Sequence, residues 1–184
     1  SAGARRAYLV DEPMAAAIGA RLPVQEASGN MIVDIGGGTT DLAIYVDGHV
    51  WHTMVLAVGG NHITSDIATG LRLPLNQAEE IKKQYGYAIK SGVGAEEHFK
   101  VKPFGEDQPV EINRQELANI LEARVDEIFA LVRQEIKRSG YDGLLPAGMV
   151  LTGGASALPG MKRIASDVLN MPVRTGQPEN LLGL

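Results

Sequence analysis

Three apolar runs follow one another between Met31 and Val58, and their connections are too short for a crossover. Met31 to Ile35 is stopped by Gly36-Gly37-Gly38, Thr40 to Val46 follows, and Asp47-Gly48 leads into His49 to Val58. Parallel strands need a connection of about a dozen residues, whereas antiparallel strands close with two. These runs therefore predict an antiparallel meander with Asp47-Gly48 as its hairpin turn.

Other periods surround the meander. Leu117, Leu121, Val125, Ile128, Val132 and Ile136 lie 4, 4, 3, 4 and 4 residues apart, the apolar face of one long helix. Asn113 and Glu116 have capping-box spacing before it, and Ser139-Gly140 ends it. Met149 to Leu151 reads as a strand, Pro159 to Leu169 as a helix, and Val173 as a last short strand. Helices are also expected over Ile63 to Leu71 and Asn76 to Tyr85, the second with an Asn76/Glu79 capping box and a stop at Gly86. The polar stretch that follows is broken by Gly92, Gly94, Pro103, Gly105 and Pro109. It holds one weak hairpin, Phe99 to Val101 with Val110 to Ile112, and reads as a small inserted lobe. Before the meander, Ala7 to Val10 reads as a short buried strand. Asp11-Glu12-Pro13 opens a helix over Met14 to Ala20, and Pro23 to Asn30 is a loop. The order predicts an α/β fold, a mixed sheet flanked by helices with a small insertion.

Composition removes several functions. Cysteine is absent, which excludes disulfides, thiolate metal sites and a cysteine nucleophile. The net charge is −5 at pH 7, so no broad basic face for nucleic acid is expected. No apolar run approaches the roughly 20 residues of a membrane span. His49, His52, His62 and His98 form no ligand pattern, and Met14 and Met31 are expected in the core. The chain has 184 residues and begins at Ser1, close to an apolar run, which reads as a piece of a longer protein.

Two glycine turns carry the candidate chemistry. The first is Asp34-Ile35-Gly36-Gly37-Gly38-Thr39-Thr40-Asp41. Glycines after a strand let backbone N–H groups face an anion without a Cβ in the way, and threonine hydroxyls add donors. Asp34 at the strand end is placed to hold Mg²⁺ through water. The pattern is not a P-loop, because no Gly-Lys-Ser/Thr follows, and not a dinucleotide fingerprint, because position 41 is Asp. A plain tight hairpin is the other reading. The second turn is Leu151-Thr152-Gly153-Gly154-Ala155-Ser156, where bare glycines admit another backbone or a flat ring. A simple strand-to-helix connection would use the same residues.

Together the two turns resemble the actin-like ATPase superfamily. Asp34 to Thr40 is similar to its second phosphate motif, and Val150 to Ser156, continuing to Pro159-Gly160-Met161, to its adenosine motif. Tyr8 to Ile18 is similar to its first connecting helix, and Val10 to Ala20 reads as MreB-like. Val58-Gly59-Gly60-Asn61-His62-Ile63-Thr64-Ser65-Asp66-Ile67-Ala68, Ala78 to Gly86, and Pro172 to Gly176 resemble the FtsA family of cell division proteins.

The resemblance implies subdomain 2A, an RNase H-like core, over 1–70 and 113–184, with subdomain 2B inserted at 71–112. The first phosphate motif, the second connecting helix and a membrane-binding amphipathic helix would lie outside this chain. ATP and Mg²⁺ are the implied cofactors. Gly36, Gly37, Gly38 and Thr39 would clamp the β- and γ-phosphates, with Asp34 holding the metal. Gly153, Gly154, Ala155 and Ser156 would line the adenosine, with Glu79, Lys82 and Lys83 reaching the ribose and base. A solvated helix face with a Glu79–Lys83 pair, worth about 0.3 kcal/mol, is the other reading of that trio. Glu12, Thr40 and Asp41 would position the attacking water.

Three functions follow from the resemblance. One is an ATP-binding adaptor that polymerises and links the ring of the tubulin-like protein FtsZ to the inner face of the cell membrane. There the FtsZ C-terminal peptide would dock on subdomain 2B. The second is an MreB-like cell-shape filament, and the third a small-molecule kinase. The implied location is cytoplasmic, peripheral at the membrane. ATP turnover would be weak in the longer protein and absent from this chain alone.

Overall fold

The computed structural model describes residues 9–23 and 29–176. It holds a five-stranded sheet with helices on both faces, and a separate two-stranded sheet. The meander forms as expected: β1 (Asn30–Ile35), β2 (Thr40–Val46) and β3 (His49–Leu56) pair antiparallel. At the other side of β1, β6 (Met149–Thr152) and then β7 (Val173–Thr175) join in parallel, giving the order β3-β2-β1-β6-β7. β4 (His98–Val101) and β5 (Val110–Asn113) make the small antiparallel sheet.

Alternation along the strands decides what covers each face. Met31, Val33 and Ile35 of β1, with Leu42 and Ile44 of β2, point into the main core. α2 (Gly60–Leu71), α4 (Arg114–Ser139) and α5 (Met161–Leu169) supply the rest of that core. α4 carries its expected stripe: Leu117, Leu121, Val125, Ile128, Val132 and Ile136 are all buried. Ile32, Ala43, Tyr45 and Val150 face the other way, against Ala17 and Ala20 of the α1 segment (helix Glu12–Gly19). Met31 is fully buried and Met14 packs against the second core, as expected.

Local details depart from expectation at several points: α1 and α2 start earlier, at Glu12 and Gly60, and β3 ends earlier, at Leu56. Ala7 and Tyr8 lie outside the described residues, and Leu9 and Val10 are exposed and in no strand. An apolar triplet becomes a strand only where a neighbour pairs with it, and none does among the described residues. Of the expected loop, 24–28 also lie outside the described residues. α3 (Leu75–Tyr85) starts one residue early, with Pro74 as its N-cap and no side-chain cap. The expected Asn76/Glu79 capping box is absent because the Glu79 carboxylate is drawn instead to an ammonium and a hydroxyl. α5 begins at Met161 and not Pro159, because Gly160 sits at φ 90°, outside helical space.

Asn113 and Gly140 cap α4 as expected, but the Glu116 arm of the expected capping box does not form: Asn113 bonds the Gln115 N–H, and Glu116 makes no return bond among the described residues. Asn113 accepts a hydrogen bond from the Gln115 N–H at 2.7 Å, and Gly140 ends the helix at φ 80°. Asn113 also donates to the Ala95 carbonyl at 2.8 Å. Asn113→Ala is therefore expected to cost about 1 kcal/mol, read as a lower urea midpoint at unchanged slope. His62 has a similar role for α2: the Gly59 N–H donates to its Nδ1 at 3.1 Å. Among the described residues no helix is long and apolar enough to cross a membrane.

Candidate functional site

The two glycine turns lie side by side because β1 and β6 are parallel neighbours, with Asp34 registered opposite Thr152. The first turn is closed by the Gly36 N–H donating to the Thr39 carbonyl at 2.9 Å. Its tip, Gly37-Gly38-Thr39, is exposed. Among the described residues, the N–H groups of Gly37 and Gly38 donate to no internal acceptor. Two adjacent backbone donors on an exposed turn form an anion-binding concavity.

A third glycine turn, Gly59-Gly60 at the end of β3, locks onto the first. The N–H of Gly60 donates to the Gly36 carbonyl at 2.9 Å, and that of Asn61 to the Gly37 carbonyl at 2.8 Å. A Cβ on Gly59 would lie 2.7, 2.8 and 2.9 Å from the carbonyl oxygens of Gly36, Gly37 and Thr39. The N-terminal backbone of α2 thus turns the carbonyls of the first turn inward and leaves its N–H groups outward. Sequence reasoning missed Gly60 and Asn61 as site residues. The available signal was a Gly-Gly pair following a strand and opening a helix, the same pattern as Gly153-Gly154.

Around these turns opens a cavity of about 330 Å³. Gly36, Gly37, Glu79, Lys82, Lys83, Gly154 and Ala155 line it, together with Gly60, Asn61, Ile63, Ala157, Leu158 and Pro159. Seven of the expected residues thus meet in one place. Lys82 is the anchor of the α3 side. Its side chain is only 13% exposed, and its Nζ lies 2.6 Å from Glu79 Oε2, 2.8 Å from Thr64 Oγ1 and 3.0 Å from the Gly60 carbonyl. The Glu79–Lys83 pair exists at 3.4 Å, but Glu79 and Lys82 do not belong to a solvated helix face. Burial pushes the Glu79 carboxyl up, but bonds from Lys82, Thr64 and Lys83 outweigh it and hold the group below the usual carboxylate range.

The remaining expected residues stand outside the cavity lining. Gly38 and Thr39 are at the tip of the first turn, and Gly153 lies beneath the second. The Ser156 hydroxyl closes that second turn on the Gly153 carbonyl at 2.6 Å. Asp34 and Asp41 face each other across β1 and β2, on the sheet face that α1 covers. The Thr152 hydroxyl donates to Asp34 at 2.8 Å, and the Thr39 hydroxyl to Asp41 at 2.9 Å. Thr40 is fully buried, and its hydroxyl donates to the Val58 carbonyl at 2.8 Å. A hydroxyl held there braces the end of the meander. Glu12 is exposed at the first residue of α1 and is not brought to the cavity. No cluster of three or more metal-ligating side chains occurs among the described residues.

Comparison with known proteins matches the chain to a family. The family described as Cell division protein FtsA matches residues 31–183. A cell division protein FtsA of Pseudomonas aeruginosa is 44% identical over 176 residues, covering 96% of this chain and 42% of the relative. One of Bacillus subtilis is 41% identical over 173 residues, covering 94% of this chain and 39% of the relative. The chain therefore spans about two fifths of the length of these relatives. Among solved structures, MreB5 of Spiroplasma citri bound to ADP superposes with a TM-score of 0.79 at 25% identity, covering 96% of this chain and 57% of that one. The fold is that of the actin-like ATPases.

Proposed function

This chain belongs to the FtsA family of cell division proteins, and on that footing we propose that it is the nucleotide-binding C-terminal half of an ATP-dependent division adaptor. The observation that carries the reading is the meeting of three glycine turns around one cavity whose wall holds Lys82 and Glu79.

The residues present fit an adenine nucleotide with its metal. The cavity volume, about 330 Å³, is within the range of small-ligand sites. The free N–H groups of Gly37 and Gly38 would hold phosphate oxygens, and the Thr39 hydroxyl would join them only by giving up its bond to Asp41. Glu79, Lys82 and Lys83 would contact the ribose and base, and Gly154 and Ala155 would flank the adenosine. Asp34 and Asp41, opposed on paired strands, are like charges that repel each other. A divalent cation held by Asp34 through water would offset that repulsion. A bound metal nucleotide would supply a phosphoanhydride; the chain's own groups would bind and orient it, and Asp41 would align a water.

The small sheet β4–β5 supports reading 71–112 as the inserted subdomain 2B, with 1–70 and 113–184 as subdomain 2A. Self-association into filaments, docking of the FtsZ C-terminal peptide on 71–112, and a membrane link from another part of the protein complete the adaptor reading. An MreB-like cell-shape filament stands second, because the sequence identity to the FtsA relatives is the higher.

Titration of this chain with an FtsZ C-terminal peptide tests the adaptor reading. Saturable micromolar binding, lost when exposed residues of 71–112 are altered, is the expected outcome. Absence of binding would transfer the reading to the MreB-like filament.

A further inference from the structure

The hydroxyl of Thr64 is the hub of the cavity's charged wall. Thr64 lies one turn into α2 and is only 6% exposed. Its hydroxyl oxygen accepts from Lys82 Nζ at 2.8 Å. Its single proton has two acceptors in reach, the Gly60 carbonyl at 3.1 Å and Glu79 Oε2 at 2.5 Å. The carboxylate is nearer and charged, so it takes the proton. Lys82 in turn bonds Glu79 at 2.6 Å, which closes a three-membered ring of hydrogen bonds. A third bond from Lys82, to the Gly60 carbonyl at 3.0 Å, ties the ring to the helix start that shapes the first glycine turn.

We propose that Thr64 is a positioning residue for nucleotide binding: it holds Glu79 and Lys82 in the rotamers that line the cavity and couples them to the phosphate turn. The inference rests on the nucleotide reading above. Two long side chains free to rotate would lose conformational entropy on binding, and a buried hydroxyl that holds them beforehand removes that cost. The charged groups that face Glu79 are Lys82 and Lys83 of α3, while α2 contributes the Thr64 hydroxyl. Removing that hydroxyl takes away one of the bonds that hold the Glu79 carboxyl low, so its titration must move upward.

The test uses Thr64→Val and Thr64→Ser in a full-length family member carrying this chain. Affinity for ATP is read with a fluorescent analogue from pH 4 to 8, and Glu79 is followed by carbon NMR. Thr64→Val is expected to weaken binding about tenfold, the cost of ordering two long side chains on binding. Its Glu79 titration is expected to shift upward, while Thr64→Ser stays near wild type in both readouts. Thr64→Val that binds like wild type, with an unmoved Glu79 titration, overturns the proposal. So does a loss in Thr64→Val that Ser does not rescue and that tracks a fall in thermal midpoint, since that is a packing defect. Wild type that binds no ATP sinks the nucleotide reading itself, and this inference with it.

Discussion

Gly153→Ala is expected to destabilise the fold by about 3 kcal/mol, combining the penalty of a backbone conformation open essentially to glycine alone with an overpacked contact. Gly153 sits at φ 89°, where an L side chain is strained. Its Cβ would also lie 2.3 Å from the Ile35 carbonyl oxygen and 2.6 Å from Asp34 Oδ1. Neither neighbour can yield cheaply. Ile35 O belongs to the end of the central strand, and Asp34 is held by the Thr152 hydroxyl at 2.8 Å. The clash therefore pushes β1 and β6 apart where the two turns meet. Gly154→Ala is the matched control: a Cβ there meets nothing within 4 Å and no positive φ is involved. It is expected to stay within about 0.5 kcal/mol of wild type. Urea unfolding of both variants makes the comparison. Equal midpoints would show that the second turn tolerates a side chain and that β1 and β6 are less tightly joined than their geometry indicates.

Asp34→Asn is expected to weaken Mg-ATP by about 10- to 100-fold in a full-length family member carrying this chain, the scale of losing a group that orients a metal's ligands. Metal-free ATP should change little. Asparagine is the better probe than alanine, because its Oδ1 can still accept the Thr152 hydroxyl. With alanine that hydroxyl, on a residue 7% exposed, would lose its partner, at a cost of about 1–3 kcal/mol unrelated to metal. The charge change also relieves the repulsion with Asp41, so a stability loss is not expected. Calorimetric titration with and without Mg²⁺ separates the two terms. Equal losses for both ligands would remove Asp34 from the metal role.

Much of this fold was legible because its signals are local. The Asp47-Gly48 turn forces an antiparallel pair whatever surrounds it. The stripe from Leu117 to Ile136 buries itself as read, since a 3.6-residue period specifies one face. The glycine turns were also visible, because a backbone that must approach another chain segment tolerates no Cβ. Signals that depend on competition were less legible. Asn76 and Glu79 have capping-box spacing, yet the Glu79 carboxylate binds Lys82 and Thr64, which are stronger partners than a helix-end N–H. Gly160 reads as the second residue of a helix but holds a left-handed turn, where it lies against Tyr87 and Ile89.

The sequence by itself determined the elements, the antiparallel meander, the α/β class and the two turns, because each depends on a spacing or a missing Cβ within one segment. The tertiary structure alone decided which of those residues share a site. Parallel pairing of β1 with β6 brings together turns 118 residues apart, as the Thr152–Asp34 bond records. Docking of α2 on the first turn recruits Gly60 and Asn61, and the fold of α3 against α2 makes Thr64 the partner of Lys82 and Glu79. Burial also turned Thr40 inward and left Glu12 away from the cavity. Such choices depend on which polar groups find partners once water is excluded, and no single segment carries that information.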